Sequence, residues 1–189
     1  MRVDEMPLLR SFQRFLRGQH AGLSVEAVLI FPILIWGYFG MFVLFDGYRS
    51  MAANVRASYT ISDLLSRETD YITPNYMNGM NDVLDILTQS PNPTVLRVSV
   101  IKYNADTNKH DLEWSYSTAG SGSAAAITDA TLAELMPHVP NMANPGVAIV
   151  VETYVAFIPF INITLQPFYF ESIVVTRPRF ASQLKWADA

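Results

Sequence analysis

A chain of 189 residues, half of them apolar, has room for one membrane segment and one modest domain. It contains no cysteine, which excludes a disulfide framework, a thiolate metal site and a thiol nucleophile. The net charge of -4 is unevenly placed: Arg2, Arg10, Arg14 and Arg17 stand against Asp4, Glu5 and Glu26 before Ala27, and the rest carries nine basic and fourteen acidic residues. That acidic remainder argues against a nucleic-acid partner.

The chain opens on Leu8, Leu9, Phe12, Phe15 and Leu16 at helical spacing, with Arg10, Arg14 and Arg17 on another stripe. Such a basic amphipathic helix can lie on an anionic leaflet, or it can simply supply orienting charge. Small residues follow in Ala21-Gly22-Leu23-Ser24-Val25, and Glu26 stands at the threshold of an apolar run. A carboxylate is costly deep in lipid but tolerable at the edge. In a first helical turn it also gains up to about 1 kcal/mol from the macrodipole.

From Ala27 to Phe45 the run reads AVLIFPILIWGYFGMFVLF, uncharged throughout. As a helix its roughly 28 Å nearly match the ~30 Å hydrocarbon core of a bilayer. A core helix of a soluble protein shows one polar face, and this segment shows none. Pro32, Gly37 and Gly40 weaken a helix in water but are tolerated in lipid. Gly37 and Gly40 miss the GxxxG spacing, so they define no dimer motif. Trp36 and Tyr38 fall mid-span, as lipid-facing bulk or as packing for a partner helix. Four arginines before the span against Arg49 and Arg56 after it place the N-terminus inside and the C-terminus outside. A cleavable signal is the competing reading, but its apolar stretch is shorter, and Ser50-Met51-Ala52 lies past Asp46 and Arg49.

Beyond Asp46 the helix is expected to continue as an amphipathic stalk, with Tyr48, Met51, Val55 and Tyr59 on one face. Asn75 to Leu87 is expected as a second helix, and Ser90-Pro91-Asn92-Pro93 as a break. The period then changes to two. Val95 to Tyr103 and Leu112 to Tyr116, joined by a turn at Asn104 to Lys109, predict a hairpin. Ala119 to Ala126 is a flexible loop, and Thr128-Asp129 starts a helix through Leu135. Gly146 to Phe160 and Phe168 to Thr176 read as strands, the former too short and too interrupted by Glu152 and Pro159 for a second crossing. Phe157, Phe160, Phe168, Tyr169 and Phe170 are either core or a surface patch.

No catalytic constellation emerges. His20, His110 and His138 form no ligand pairing, and His110-Asp111 in a turn suits solvent better than a metal. Asp82 and Asp85 share a helix face that points to solvent. Phosphate loops, dinucleotide fingerprints and nucleophile elbows are absent. Asn162-Ile163-Thr164 matches a glycosylation acceptor by chance. The chain is therefore expected to be no enzyme and to need no cofactor or metal.

The small residues before Val25-Glu26 and the run Ala27-Val28-Leu29-Ile30-Phe31-Pro32 resemble the N-terminus of the TadE/TadG family of tight-adherence pilus assembly proteins. Tyr59 to Glu68 and Thr176-Arg177-Pro178-Arg179-Phe180 resemble its alphaproteobacterial members. The resemblance implies a pilin-like α+β architecture: one N-terminal transmembrane helix continuing as a stalk, then a small antiparallel sheet with short helices. Its segments are a basic cytoplasmic leader (1–22), the membrane helix (23–46), stalk and second helix (47–90) and a periplasmic α+β domain (91–189). It implies residence in a bacterial inner membrane, among lipids, other pilus assembly proteins or pilin subunits, and a prepilin peptidase. Pseudopilin-like members carry glycine before the scissile bond and glutamate at the fifth mature position. Counting back from Glu26 sets the bond between Ala21 and Gly22, with alanine where glycine is usual; a cut after Gly22 leaves Glu26 fourth. A new ammonium near Glu26 of the same or a neighbouring subunit could set helix register. The alternative is a permanently anchored periplasmic binding or adhesion module unrelated to pili.

Overall fold

The computed structural model describes residues 20–105, 107–142, 146–161 and 165–187, with side chains from residue 25 onward. The basic tip with Arg10, Arg14 and Arg17, and the Asn162-Ile163-Thr164 triplet, lie outside the described residues. The chain divides into two units, Met1–Phe45 and Asp46–Ala189. A single helix, α1 (His20–Arg67), contributes to both.

In the first unit, α1 carries Pro32 inside it without interruption. Most of its apolar side chains are exposed, Leu29, Phe31, Ile33, Trp36 and Phe45 among them and Met41 at 74 %, whereas Val43 is buried. Length and composition suffice for this helix to cross a membrane.

The second unit is α+β. Helix α2 (Pro74–Thr88) starts on Thr73, whose hydroxyl accepts the Tyr76 N–H, with proline in the first turn. Four strands follow: β1 (Thr94–Asn104), β2 (Lys109–Ser117), β3 (Gly146–Phe157) and β4 (Phe168–Thr176). They form one antiparallel sheet in the order β2-β1-β3-β4. Opposite the Val100–Ile101 step, β2 carries one extra residue, Glu113. This bulge lets Leu112 join one face of the sheet while Trp114 and Tyr116 join the other.

On the helix-covered face, Leu96, Val98, Val100, Ile149 and Val151 meet Ala57, Ile61 and Leu65 of α1 and Met77 and Leu84 of α2. The opposite face is covered by loop residues around Ile127, Leu132 and Leu135. There the expected helix from Thr128 is replaced by two short 3-10 turns, Leu132–Glu134 and Met136–His138. Pro137 disfavours α geometry in the residue before it, and three residues per turn align Leu132 with Leu135 on the core side. Strand β3 stops at Phe157 rather than Phe160, because Pro159 has no N–H for the ladder.

The second half of α1 buries a different stripe from the one expected. Tyr48, Met51 and Tyr59 are exposed, whereas Asn54, Ala57, Ser58, Ile61, Ser62, Leu65 and Ser66 are buried. At 100° per residue the two stripes lie about a quarter turn apart. Small polar side chains on this stripe hydrogen-bond to the sheet. Asn54 donates to the Phe170 carbonyl at 3.0 Å and accepts from the Thr153 hydroxyl at 2.7 Å. The Ser58 and Ser172 hydroxyls meet at 2.9 Å. Residues 47–67 are thus an integral layer of the domain, not a free stalk.

The chain end closes the unit. Ile72 N–H donates to Lys185 O at 2.8 Å, and Ala187 N–H donates to Ile72 O at 2.9 Å. Trp186 stacks on Tyr116 with centroids 5.0 Å apart, and the Trp114 indole donates to Leu184 O. The segments 59–68 and 176–180, far apart in sequence, meet here: Arg179 N–H donates to Ser66 O at 2.7 Å, and its guanidinium lies 3.3 Å from Asp63.

This packing gives a direct test of the buried stripe. Ile61→Ala is expected to lower the unfolding free energy of the detergent-solubilised protein by about 2–5 kcal/mol. Tyr59→Ala should change it by no more than about 0.5 kcal/mol. Denaturant titration followed by near-UV circular dichroism of Trp114 and Trp186 reads both.

Candidate functional site

The residues singled out from sequence sit on the first part of α1. Ala21 and Gly22 are already helical, because α1 begins at His20. Glu26 follows within the same helix. Its side chain is exposed. Ala27 to Phe45 form one helical surface, and a Cβ added at Gly37 or Gly40 would meet nothing within 4 Å. Trp36 is exposed within its unit, as a bulky side chain facing lipid or a partner would be.

The second unit holds a polar site that sequence reading missed. Arg97 of β1 and Glu152 of β3 are direct cross-strand partners. Both are buried on the sheet face away from the helices. Their side chains pair in a fork: Nε donates to Oε2 and Nη2 to Oε1, each at 2.6 Å. Arg97 Nη1 donates to the carbonyls of Ser123 and Ala125, which pins the Gly- and Ser-rich loop over the pair. Nη2 also donates to the Tyr154 hydroxyl at 2.8 Å, and that hydroxyl reaches Glu171 at 3.2 Å.

These groups floor a cleft of about 530 Å³, rimmed by Glu134, His138, Tyr169 and Glu171. Burial alone would depress the Arg97 guanidinium, but the hydrogen bonds and charge of Glu152 hold it above its ordinary value. The Tyr154 phenol is pushed up by burial and by the Glu152 carboxylate, against the opposing pull of Arg97. With Glu152 neutralised by Arg97, the exposed Glu134 and Glu171 leave the mouth acidic. The recess suits a cationic or hydrogen-bond-donating group of modest size. A sequence signal for it existed: an arginine in one apolar strand and a glutamate in another. Only the strand register shows that they are opposite each other.

Among the described residues the remaining titratable groups form no second centre. His110 sits on β2 rather than in a turn, its ring 5.2 Å from that of Tyr103. Asp85 is tied to the Thr94 hydroxyl instead of facing only solvent. Among the described residues no group of three His, Asp or Glu could hold a metal ion. The aromatic residues near the end of β3 divide: Phe157 is buried, whereas Phe160 and Tyr169 are exposed. Compared with known proteins, the chain matches no family model, no curated protein and no solved structure.

Removing one partner of the buried pair strands the other charge. Arg97→Met is expected to cost about 3–5 kcal/mol, whereas Arg97→Met combined with Glu152→Leu should be near neutral or better. Thermal and denaturant unfolding in detergent measure both. The phenols give a pH signature. Tyr154 and Tyr76 titrate above the ordinary tyrosine range in the folded protein, Tyr76 at about 12, pushed up by burial and by its hydrogen bond to Glu68. A raised folded value means the stabilisation is complete below the unfolded value of about 10 and is lost as pH climbs through the folded one. Stability should therefore fall as pH rises beyond about 10, and Tyr154→Phe should flatten that decline.

Proposed function

We propose that this chain is a single-pass membrane protein whose α1 crosses a bilayer and carries an α+β domain on the far side. More particularly, we propose a pseudopilin-like protein of the tight-adherence type that helps initiate or assemble a pilus. One observation carries the reading: a single unbroken helix is apolar on every side at its start and becomes a core element of a packed domain at its end. In water the exposed Leu, Ile, Phe and Trp side chains would be a severe liability, and lipid or partner helices remove it. The arginine bias supports a cytoplasmic N-terminus, and with it a domain on the periplasmic side of an inner membrane. Its partners would be lipids, pilin subunits or other assembly proteins, and a prepilin peptidase. The two segments resembling alphaproteobacterial TadE-type members meet through Arg179, Asp63 and Ser66, which supports a shared structural reason for them.

Processing fits the helix as well. Cleavage between Ala21 and Gly22 would make Gly22 the first residue and leave Glu26 about one helical turn beyond it. The new ammonium and the carboxylate would then share one end of the helix, in cis or between neighbours. No catalytic role is assigned to any residue.

The cleft above Arg97 supports a second reading, in which the span is only a tether and the domain binds a cationic ligand or partner. Replacing residues 27–45 by an unrelated transmembrane helix separates the two: assembly activity should be lost, whereas a tethered binding module should keep working. Alkaline carbonate washes should leave the protein in the membrane pellet. Intact-mass spectrometry should show a chain beginning at Gly22 or Leu23, and Glu26→Ala should abolish piliation. Release into the wash would overturn the membrane reading; an intact Met1 with undiminished pili would overturn the pilus reading.

A further inference from the structure

The sheet has two unlike ends. At one, the β1–β2 turn presents Asn104, Asn108 and Lys109, all polar. At the other, β3 ends and β4 begins on the pair Phe157 and Phe168. Here the rings of Phe157, Phe168 and Phe170 interlock, with centroids 4.9 to 5.5 Å apart. Gly47 of α1 lies against this cluster, where a Cβ would stand 3.6 Å from the Phe157 ring and 3.8 Å from that of Phe170. Around the cluster, Ile158, Phe160 and Tyr169 are between 52 % and 59 % exposed. A soluble domain gains nothing by gathering large apolar side chains at one tip.

The position of Gly47 in the chain says what covers them. It follows the apolar run by two residues, Phe45 being the last of that run and Asp46 the first of the domain. Apolar side chains placed where a span leaves the hydrocarbon can rest among acyl carbons, and the exposed Tyr169 suits headgroup level, with its ring apolar and its hydroxyl wet. Arg49, exposed one turn after the run, supplies a cation at the depth of lipid phosphates. We propose that the Phe157–Tyr169 end of the sheet rests in the headgroup layer of the bilayer that α1 crosses. The contact holds that end of the sheet against the lipid surface. This inference rests on the membrane reading of α1, and its partner is phospholipid rather than protein.

The absence of cysteine makes a clean experiment possible, because a single introduced thiol labels uniquely. Nitroxide probes would be placed on Ile158→Cys, Lys109→Cys and Leu34→Cys of the full chain, in vesicles of phosphatidylethanolamine and phosphatidylglycerol. Collision with oxygen, which enters lipid, is compared with collision with a water-soluble nickel chelate. The expected order of the oxygen-to-nickel ratio is highest at position 34, intermediate at 158 and aqueous at 109. A deep position 34 with an aqueous position 158 would overturn the docking inference and leave the span intact. A position 158 shielded from both reagents would mean a protein partner, and would overturn it too. An aqueous position 34 would remove the membrane reading itself.

Discussion

The fold depends on α1 lying flat on the sheet through a stripe of small residues. Asn54, Ala57, Ser58, Ser62 and Ser66 are buried; Asn54 and Ser58 find partners on β3 and β4, whereas the Ser66 hydroxyl donates back to the Asp63 carbonyl of its own helix. Ile61 and Leu65 fill the space that remains. A helix seated by long aliphatic side chains would stand farther off and could slide. One seated by asparagine and serine is keyed to individual backbone groups, because each buried polar atom is costly unless its partner is in place. The direction of α1 relative to the strands of its own unit is fixed in this way.

The opposite face of the sheet solves a different problem with a charge. Arg97 and Glu152 could not be buried singly, yet as a forked cross-strand pair they satisfy each other and have donors left over. Those spare donors capture the Ser123 and Ala125 carbonyls, so a segment rich in glycine and serine acquires a defined course over the sheet. An apolar pair of the same volume could serve stability equally well. What the ion pair adds is an anchored loop and a polar floor beneath an acidic rim, which is the chemistry a recognition cleft requires.

Between Asp46 and Arg67 the helix is uninterrupted, so the keyed stripe belongs to one continuous element of the second unit. Glycines at 37 and 40 leave part of the apolar surface low enough for a neighbouring helix to approach.

The sequence by itself determined the element order. The uncharged run from Ala27 to Phe45, the helix after Pro74, the alternation from Val95 and the strand Phe168–Thr176 are local signals of period, propensity and punctuation, and these survive any tertiary setting. Tertiary structure decided which faces those elements present. Tyr48, Met51 and Tyr59 have the larger apolar surface, yet Ser58 and Ser62 are inside, because helix–sheet distance is set by the partner surface rather than by hydropathy along one strip. The bulge at Glu113, the replacement of a helix by 3-10 turns at Leu132 and the meeting of Arg97 with Glu152 follow the same rule. Each depends on residues tens of positions away, and pairing across that distance leaves no periodic trace in the chain.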